Sequence, residues 1–518
     1  MIRTVLIALV LMAPTAVSAQ DLPRAEDFLD KKSPIFLRDA LLLALQHNLD
    51  LQVARTEPAI AAEAVRQAKG VWDPTLFASY SFEHEETATA SSLADFLSGA
   101  TFDQLEEDEW NTTGGLSGIL PWGITYSSTY NTRRLESNSP QVDLFPEWRA
   151  SWLSEVRVPL LKDLIYGEAD VTVKRSRLAQ DISNEEFRRK LTDLIVEVEE
   201  AYWALAAARA EERVAAKSLQ TAQDLLEQTE VQYEVGVVSK VSVTQAEAGV
   251  AERERAHIVA INRAGTAQDR LLNLVLAPGP AQLARTELTI AEKAFVEYEA
   301  ELDAALDKAL RFRPEIAAAR QQVEDAEIQL AFAKNQRLPD LDLVAAYTTS
   351  GLSGSGSSAV TSGSESANDE FFRHDGPKGY SLGGEFSIPL PNTSARGLVA
   401  QRKIELRRAR TNLRQAEQGI VLEVREAVRG LGSAIEFLEA AERGRIAAEE
   451  TLRAEQEKLR LGDSTPFQVL EFEEDLAEAE RAKIFALKSY RDAISLLERG
   501  QATLLTTRGI SVKDELVR

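Results

Sequence analysis

Two periodicities divide the chain. From Leu37 to Lys69 the apolar residues Leu41, Leu45, Leu49 and Val53 share one face at helical spacing. Pro58 interrupts this run and predicts a kink or break there. From Thr75 the period falls to two: Leu76, Ala78, Tyr80 and Phe82 alternate with Ser79, Ser81 and Glu83. Trp148, Ala150, Trp152, Val156, Val158 and Leu160 alternate in the same way with Arg149, Ser151, Glu155 and Arg157. Strands are predicted over about 75–83 and 148–160. Between them Leu116, Gly118, Leu120, Trp122, Ile124, Tyr126 and Tyr130 fall on one face around Pro121-Trp122-Gly123. This candidate hairpin, 113–132, either extends the sheet or caps it. Helical spacing then returns and runs to about Glu234, carrying Leu178, Ile182, Leu191, Ile195, Val198, Tyr202 and Leu205 on one stripe. A helix of this length spans roughly 100 Å at 1.5 Å per residue. A shorter helical arm, about 239–275, follows.

The same order recurs. A helical run over about 299–336 matches the first at a constant offset of 265: Ala40-Leu41 meets Ala305-Leu306, and Ala68-Lys69 meets Ala333-Lys334. Strands are predicted over about 340–348 and 379–390, with Leu341, Leu343, Ala345, Tyr347 and then Tyr380, Leu382, Phe386, Ile388 on one face. Long helical runs follow over 395–460 and from Pro466 to about Leu505. Within the long runs a second offset, 226, pairs Gly236 with Gly462 and Glu254-Arg255-Ala256 with Glu480-Arg481-Ala482. Two offsets in the same order mean that the whole chain after its first segment is duplicated. The repeats are 37–290 and 298–506, preceded by an extended lead-in over 20–36 and followed by a tail, 507–518. Each repeat interrupts its long helices once, at a glycine. Narrow apolar stripes with many alanines suit coiled-coil packing of the resulting hairpins.

Composition narrows the setting. Residues 1–19 read as a secretory signal, with Arg3, an apolar run from Val5 to Met12, and Val17-Ser18-Ala19 before Gln20. No later apolar run is long enough for a membrane-spanning helix. Period-two strands of about ten residues with aromatic ends fit either a membrane barrel or a half-buried soluble sheet, and alternation alone does not separate them. The chain has no cysteine, and both methionines, Met1 and Met12, lie in the signal. Disulfides, thiol catalysis and soft sulfur sites for Cu(I) are excluded. A net charge of −23 disfavours nucleic acid as a partner.

The residues of catalysis are scattered. His47, His84, His257 and His374 lie far apart, none with a second ligand at metal spacing. No nucleophile elbow or phosphate loop is present. The chain is expected not to be an enzyme, and no metal or cofactor site is expected.

In this duplicated order the chain resembles the TolC-like outer-membrane efflux proteins. The resemblance rests on the helix–strand–strand–long-hairpin order and on Arg313-Pro314-Glu315-Ile316. The strand ends Val158-Pro159-Leu160 and Ile388-Pro389-Leu390 and the tips Val235-Gly236-Val237 and Leu461-Gly462 add to it. It implies a mainly α fold of long antiparallel hairpins forming a periplasmic tunnel. About four strands per chain would join a β-barrel shared by a homotrimer in the outer membrane, twelve strands in all. It implies a passive duct without cofactor, in contact with outer-membrane lipid, a periplasmic adaptor and, indirectly, an inner-membrane pump. By residue match, the adaptor would meet Val235, Gly236, Val237, Ser239, Leu461, Gly462 and Thr465. A periplasmic gate would involve Gln468 and Glu471, with one Glu471 from each chain forming a ring that attracts cations. Trp148, Trp152, Tyr80, Tyr126 and Tyr380 would sit at the membrane interfaces. An arginine two residues after the second glycine would be expected in a polar lock between tips. Ser464 stands there, with Leu459 three residues before the glycine, which argues against such a lock and leaves a looser or a differently held closed state. The rival readings are a periplasmic adaptor, which usually carries one hairpin and a membrane anchor, and a soluble periplasmic coiled-coil scaffold.

Overall fold

A computed structural model of the chain describes residues 34–88, 104–138, 144–276, 288, 298–354, 367–368 and 377–512. The signal segment, most of the lead-in, His374, the central parts of both strand-connecting loops and residues 513–518 lie outside the described residues. The elements are α1 (Leu37–His47), α2 (Leu49–Lys69), β1 (Thr75–Ala88), β2 (Gln104–Ile119), β3 (Thr125–Ser137) and β4 (Glu147–Pro159). There follow α3 (Glu168–Glu234), α4 (Lys240–Leu276), α5 (Leu302–Phe312), α6 (Pro314–Asn335), β5 (Asp340–Ser353) and β6 (Lys378–Ser387). The last are α7 (Thr393–Leu461), α8 (Pro466–Gly500) and the short α9 (Leu504–Thr507). The duplicated order is visible in the helices and flanking strands, and the first repeat carries two further strands, β2 and β3.

Two compact units share these elements: residues 1–58, 185–317 and 415–518 form one, and 59–184 and 318–414 the other. The first unit is helical. Its main core packs Leu41, Leu43 and Leu45 of α1 against Leu191, Ile195, Val198, Tyr202 and Leu205 of α3, and against Leu271, Leu272 and Val275 of α4. The predicted stripe of α3 is therefore its buried face. Tyr202 also donates its hydroxyl to the carbonyl of Ile35, 3.1 Å away, so the aromatic ring is buried without an orphaned polar atom. The start of the predicted tail belongs to this unit too. Half-buried Arg508 bridges the buried carboxylates of Glu199 (2.5 Å) and Glu498 (2.9 Å).

The first entry helix breaks at Asn48, not at Pro58, which lies within continuous α2. Asn48 explains the break. Its side-chain oxygen accepts from the Leu51 amide (2.9 Å), starting a new helix, and its amide donates to the Leu274 carbonyl (3.1 Å). At the 265 offset its counterpart is Arg313, where the second entry helix breaks between α5 and α6. Arg313 performs the same stitching with charge. It is 5% exposed, contacts Glu423 through Nη1 (3.1 Å) and Nη2 (2.7 Å), and reaches Glu315 (3.0 Å) and the Arg499 carbonyl (3.3 Å). Burial works against its charge, but bonds to Glu423 and the field of Glu315 outweigh it and hold the guanidinium protonated. The Arg-Pro-Glu-Ile motif is thus a structural clasp.

The second unit carries one antiparallel sheet in the order β1-β2-β3-β4-β5-β6. Among the described residues six strands stand where about four are expected from the sequence pattern. The additional pair is the 113–132 hairpin, lengthened to β2 and β3 and inserted between β1 and β4. The twelve-strand count therefore does not follow from this sheet.

Candidate functional site

Two features carry the predicted site residues: the hairpin tips of the helical unit and the two faces of the sheet.

Each tip is a helix end followed by a helix start. At the first, the Gly236 amide bonds to the Tyr233 carbonyl (2.9 Å) and the Val237 amide to that of Gln232 (2.8 Å). At the second, Gly462 bonds to Leu459 (3.1 Å) and Asp463 to Lys458 (2.9 Å). This is the Schellman pattern, and it needs a left-handed residue after the helix. Gly236 has φ 79° and Gly462 φ 85°. A Cβ at either position would meet nothing within 4 Å, so backbone conformation alone selects glycine, at about 1–2 kcal/mol for any other residue.

Three residues on, Ser239 and Thr465 cap the returning helices. The Thr465 hydroxyl accepts from the Gln468 amide (3.3 Å), and the Gln468 side chain accepts from the Thr465 amide (3.2 Å), a reciprocal box. Ser239 and Ser242 reproduce the capping contact in the first repeat (3.4 Å). Gln468 is therefore committed to the cap, and Glu471, one turn later, is the exposed acidic residue of the pair. Val235, Val237 and Leu461 are 69%, 72% and 73% exposed, so each tip leaves apolar side chains uncovered beside its glycine.

The two hairpins pack together just behind their tips. Ala222 and Leu225 of α3, Leu452 of α7, and Val469 and Leu470 of α8 share a small core with Val250 of α4. A polar tie crosses it, which sequence reasoning missed. Arg253 of α4 donates to the Leu470 carbonyl (2.6 Å) and to Gly249 of its own helix (3.1 Å), with Glu474 at 3.8 Å. Gly249 lets α8 approach: a Cβ there would stand 2.9 Å from Leu470 Cδ1. The available signal was a charge inside the core stripe, since Ala246, Arg253 and Ala260 follow one another at heptad spacing and all are buried.

Beside this tie Glu473 is 9% exposed. Burial raises its pKa above the ordinary glutamate value, against the pull of Arg253 and Lys217, and Glu480 pushes it the same way. The folded form therefore binds a proton more tightly than the unfolded chain. The stability this contributes is present at low pH and is lost as pH rises through the folded-state pKa. Glu473→Gln should stabilise the protein at neutral pH by about 1 kcal/mol, the scale of an imperfectly paired buried group. Thermal unfolding across pH should show the gain shrinking towards zero in acid; a gain that persists in acid would contradict this reading.

In the sheet, register assigns every strand residue to one of two faces. Pairing aligns Tyr80 with Thr112, Leu116 with Ser128, Tyr130 with Trp152, and Tyr347 with Tyr380. All five predicted interface aromatics, Tyr80, Tyr126, Tyr380, Trp148 and Trp152, fall on the same face, together with Leu76, Leu343, Leu382 and Phe386. Near one end this face carries a row of Phe82, Trp110, Arg134 and Trp148. Phe82 and Trp110 lie 5.1 Å apart, and the Arg134 guanidinium stacks on Trp110 (4.3 Å) and Trp148 (5.4 Å). Beyond that row come His84, Asp108 and Glu136, so the apolar band ends there. On this face the Tyr130 hydroxyl also meets Asn368.

The opposite face is polar. Arg157 joins three strands by contacting Asp342 (2.9 Å) and Glu385 (2.6 Å), and Arg133 pairs with Glu109 (2.5 Å). Among the described residues no group of His, Asp and Glu is arranged to hold a metal ion, and no helix is long and apolar enough to cross a membrane.

Comparison with known proteins agrees with this geometry. The sequence model of the outer membrane efflux protein family matches residues 123–275 and 305–499. Among solved structures, the CmeC outer membrane channel of Campylobacter jejuni superposes with a TM-score of 0.65 at 16% identity, covering 95% of this chain and 90% of that one. The outer membrane protein VceC of Vibrio cholerae gives 0.63 at 19% identity, covering 90% and 95%. The MtrE outer membrane channel of Neisseria gonorrhoeae, in its open state, gives 0.60 at 17% identity, covering 90% and 89%. At these identities the likeness establishes the shared fold.

Proposed function

Because the chain belongs to the outer membrane efflux protein family, we propose that it is the exit duct of a tripartite efflux or type I secretion assembly. Three copies share one barrel in the outer membrane and one helical tunnel across the periplasm. The duct conducts passively; a periplasmic adaptor docks at the tips, and an inner-membrane pump supplies the energy. The observation that carries this reading is the sheet with one aromatic, apolar face and one charged face. In a membrane the apolar face meets lipid and the charged face lines water. Both outer strands have an open edge, β1 and β6, and an open edge does not persist in hydrocarbon. Other copies of the chain close it.

At the tips, exposed apolar Val235, Val237 and Leu461 beside the two glycines offer the adaptor an apolar contact. Arg253 holds the hairpins of one chain together in place of the absent arginine after Gly462, and opening requires its bond to Leu470 to move. Glu471 from three chains forms the charged part of the gate. Glu471→Gln should therefore reduce cation selectivity or divalent block in single-channel recordings; unchanged behaviour removes Glu471 from the gate. The reading as a whole is tested by membrane fractionation with cross-linking. A cross-linked trimer in the outer membrane is expected, and a soluble monomer or dimer would overturn it in favour of a periplasmic scaffold.

A further inference from the structure

The β2–β3 hairpin crosses the full height of the sheet. Its turn, Pro121–Gly123, lies at the end where β1 begins and β4 ends, because Thr75 pairs with Ser117 and Thr125 with Arg157. At the other end Ala88 pairs with Gln104 and Ser137 with Glu107. The turn is seated on the junction between β4 and α3. The Trp122 amide donates to Asp170 at the start of α3 (3.1 Å). A Cβ on Gly123, whose φ is 78°, would come within 2.7 Å of the Asp163 carbonyl. Backbone conformation and close approach both require glycine there.

The hairpin also obeys the two-face rule of its neighbours. Trp110, Leu116, Tyr126 and Tyr130 lie on the apolar face, whereas Asn111, Thr113, Ser127 and Arg133 lie on the polar one. A hairpin capping the sheet in water would not need this alternation over its whole length. Nor can β1 reach β4, since β2 and β3 stand between them.

We infer that β2 and β3 are wall strands of the membrane barrel, so that each chain supplies six strands and the trimer encloses eighteen. The inference rests on the trimeric duct proposed above. Six is even, so β1 and β6 run in opposite directions, and β6 of one copy meets β1 of the next in the antiparallel sense all the way round. Diameter grows nearly in proportion to strand number. With strands about 4.8 Å apart and tilted about 40°, eighteen give roughly 36 Å between backbones, against roughly 24 Å for twelve. After about 5 Å of side chain on each wall, the open width nearly doubles, into the range of water-filled porins. The hairpin sets the exit width, and the outer-membrane passage is wider than a four-strand chain could make it.

Electron cryomicroscopy of the full chain in lipid nanodiscs should show a three-fold barrel of eighteen strands. A trimer with twelve wall strands and the hairpin outside the wall overturns this inference and leaves the duct intact. Failure to form a membrane trimer overturns both. Because the chain has no cysteine, single cysteines give a second test. In membranes, Thr113→Cys should react with a water-soluble maleimide and Leu116→Cys should be protected; equal reactivity places the hairpin in water and contradicts the inference. Deleting residues 104–137 removes two strands and preserves antiparallel order. In planar bilayers, the largest neutral polymer that enters the deleted form from the barrel side should have roughly half the size admitted by the full chain. An unchanged cut-off contradicts a wall position.

Discussion

Leu382→Arg on β6 should prevent stable membrane assembly, whereas Ser381→Arg, one residue away, should leave it intact. The two positions differ only in face. Leu382 pairs with Ala345 on the apolar side, and Ser381 pairs with Ala346 on the charged side. An arginine facing lipid costs up to about 2–4 kcal/mol per chain, depending on depth, and a trimer bears that cost three times. On the water-lined face the same charge is solvated. Heat-resistant trimer on a gel, with outer-membrane recovery, reads the difference. Equal loss in both variants would mean that the faces are wrongly assigned.

Arg313→Ala should destabilise the helical unit by about 2–3 kcal/mol, the scale of losing charge-assisted hydrogen bonds around a buried guanidinium whose carboxylate partners are partly exposed. The cause is what remains. Glu423 loses both guanidinium bonds, at 3.1 and 2.7 Å, and the Arg499 carbonyl loses its donor at 3.3 Å. Combining Arg313→Ala with Glu423→Ala should cost less than the sum of the single changes, because the stranded carboxylate is then gone. Thermal unfolding of the purified protein measures both. Strict additivity would show that the contact carries no energy of its own.

Much of this architecture was legible in the residues. Period-two stretches located the strands, and the two offsets located the repeats, because each signal depends only on neighbours along the chain or on copies of itself. The tips were legible for the same reason: a glycine followed three residues later by Ser239 or Thr465 is a local end-and-start signal. The spacing of Gln468 from Thr465 already fits a capping box, and the structure commits its side chain to that role.

What escaped depends on partners distant in sequence. The hairpin around Trp122 showed its alternation, but membership in the sheet is settled by pairing with both β1 and β4. The break in the first entry helix went to Asn48 because a side chain that bonds both to Leu51 and to the Leu274 carbonyl outweighs a proline that α2 accommodates. Arg253 is one of many charges along α4, and its partner, the Leu470 carbonyl, comes from α8, distant in sequence.

The central claim is that the aromatic face of the sheet lies in lipid. It is tested most directly by reconstituting a variant whose only tryptophans are Trp148 and Trp152 into vesicles containing brominated lipids. If the face is the outside of a barrel, fluorescence falls strongly relative to vesicles of unbrominated lipid. If it is the covered face of a soluble sheet, brominated lipid leaves the fluorescence unchanged, and the account of this chain as a membrane duct is wrong.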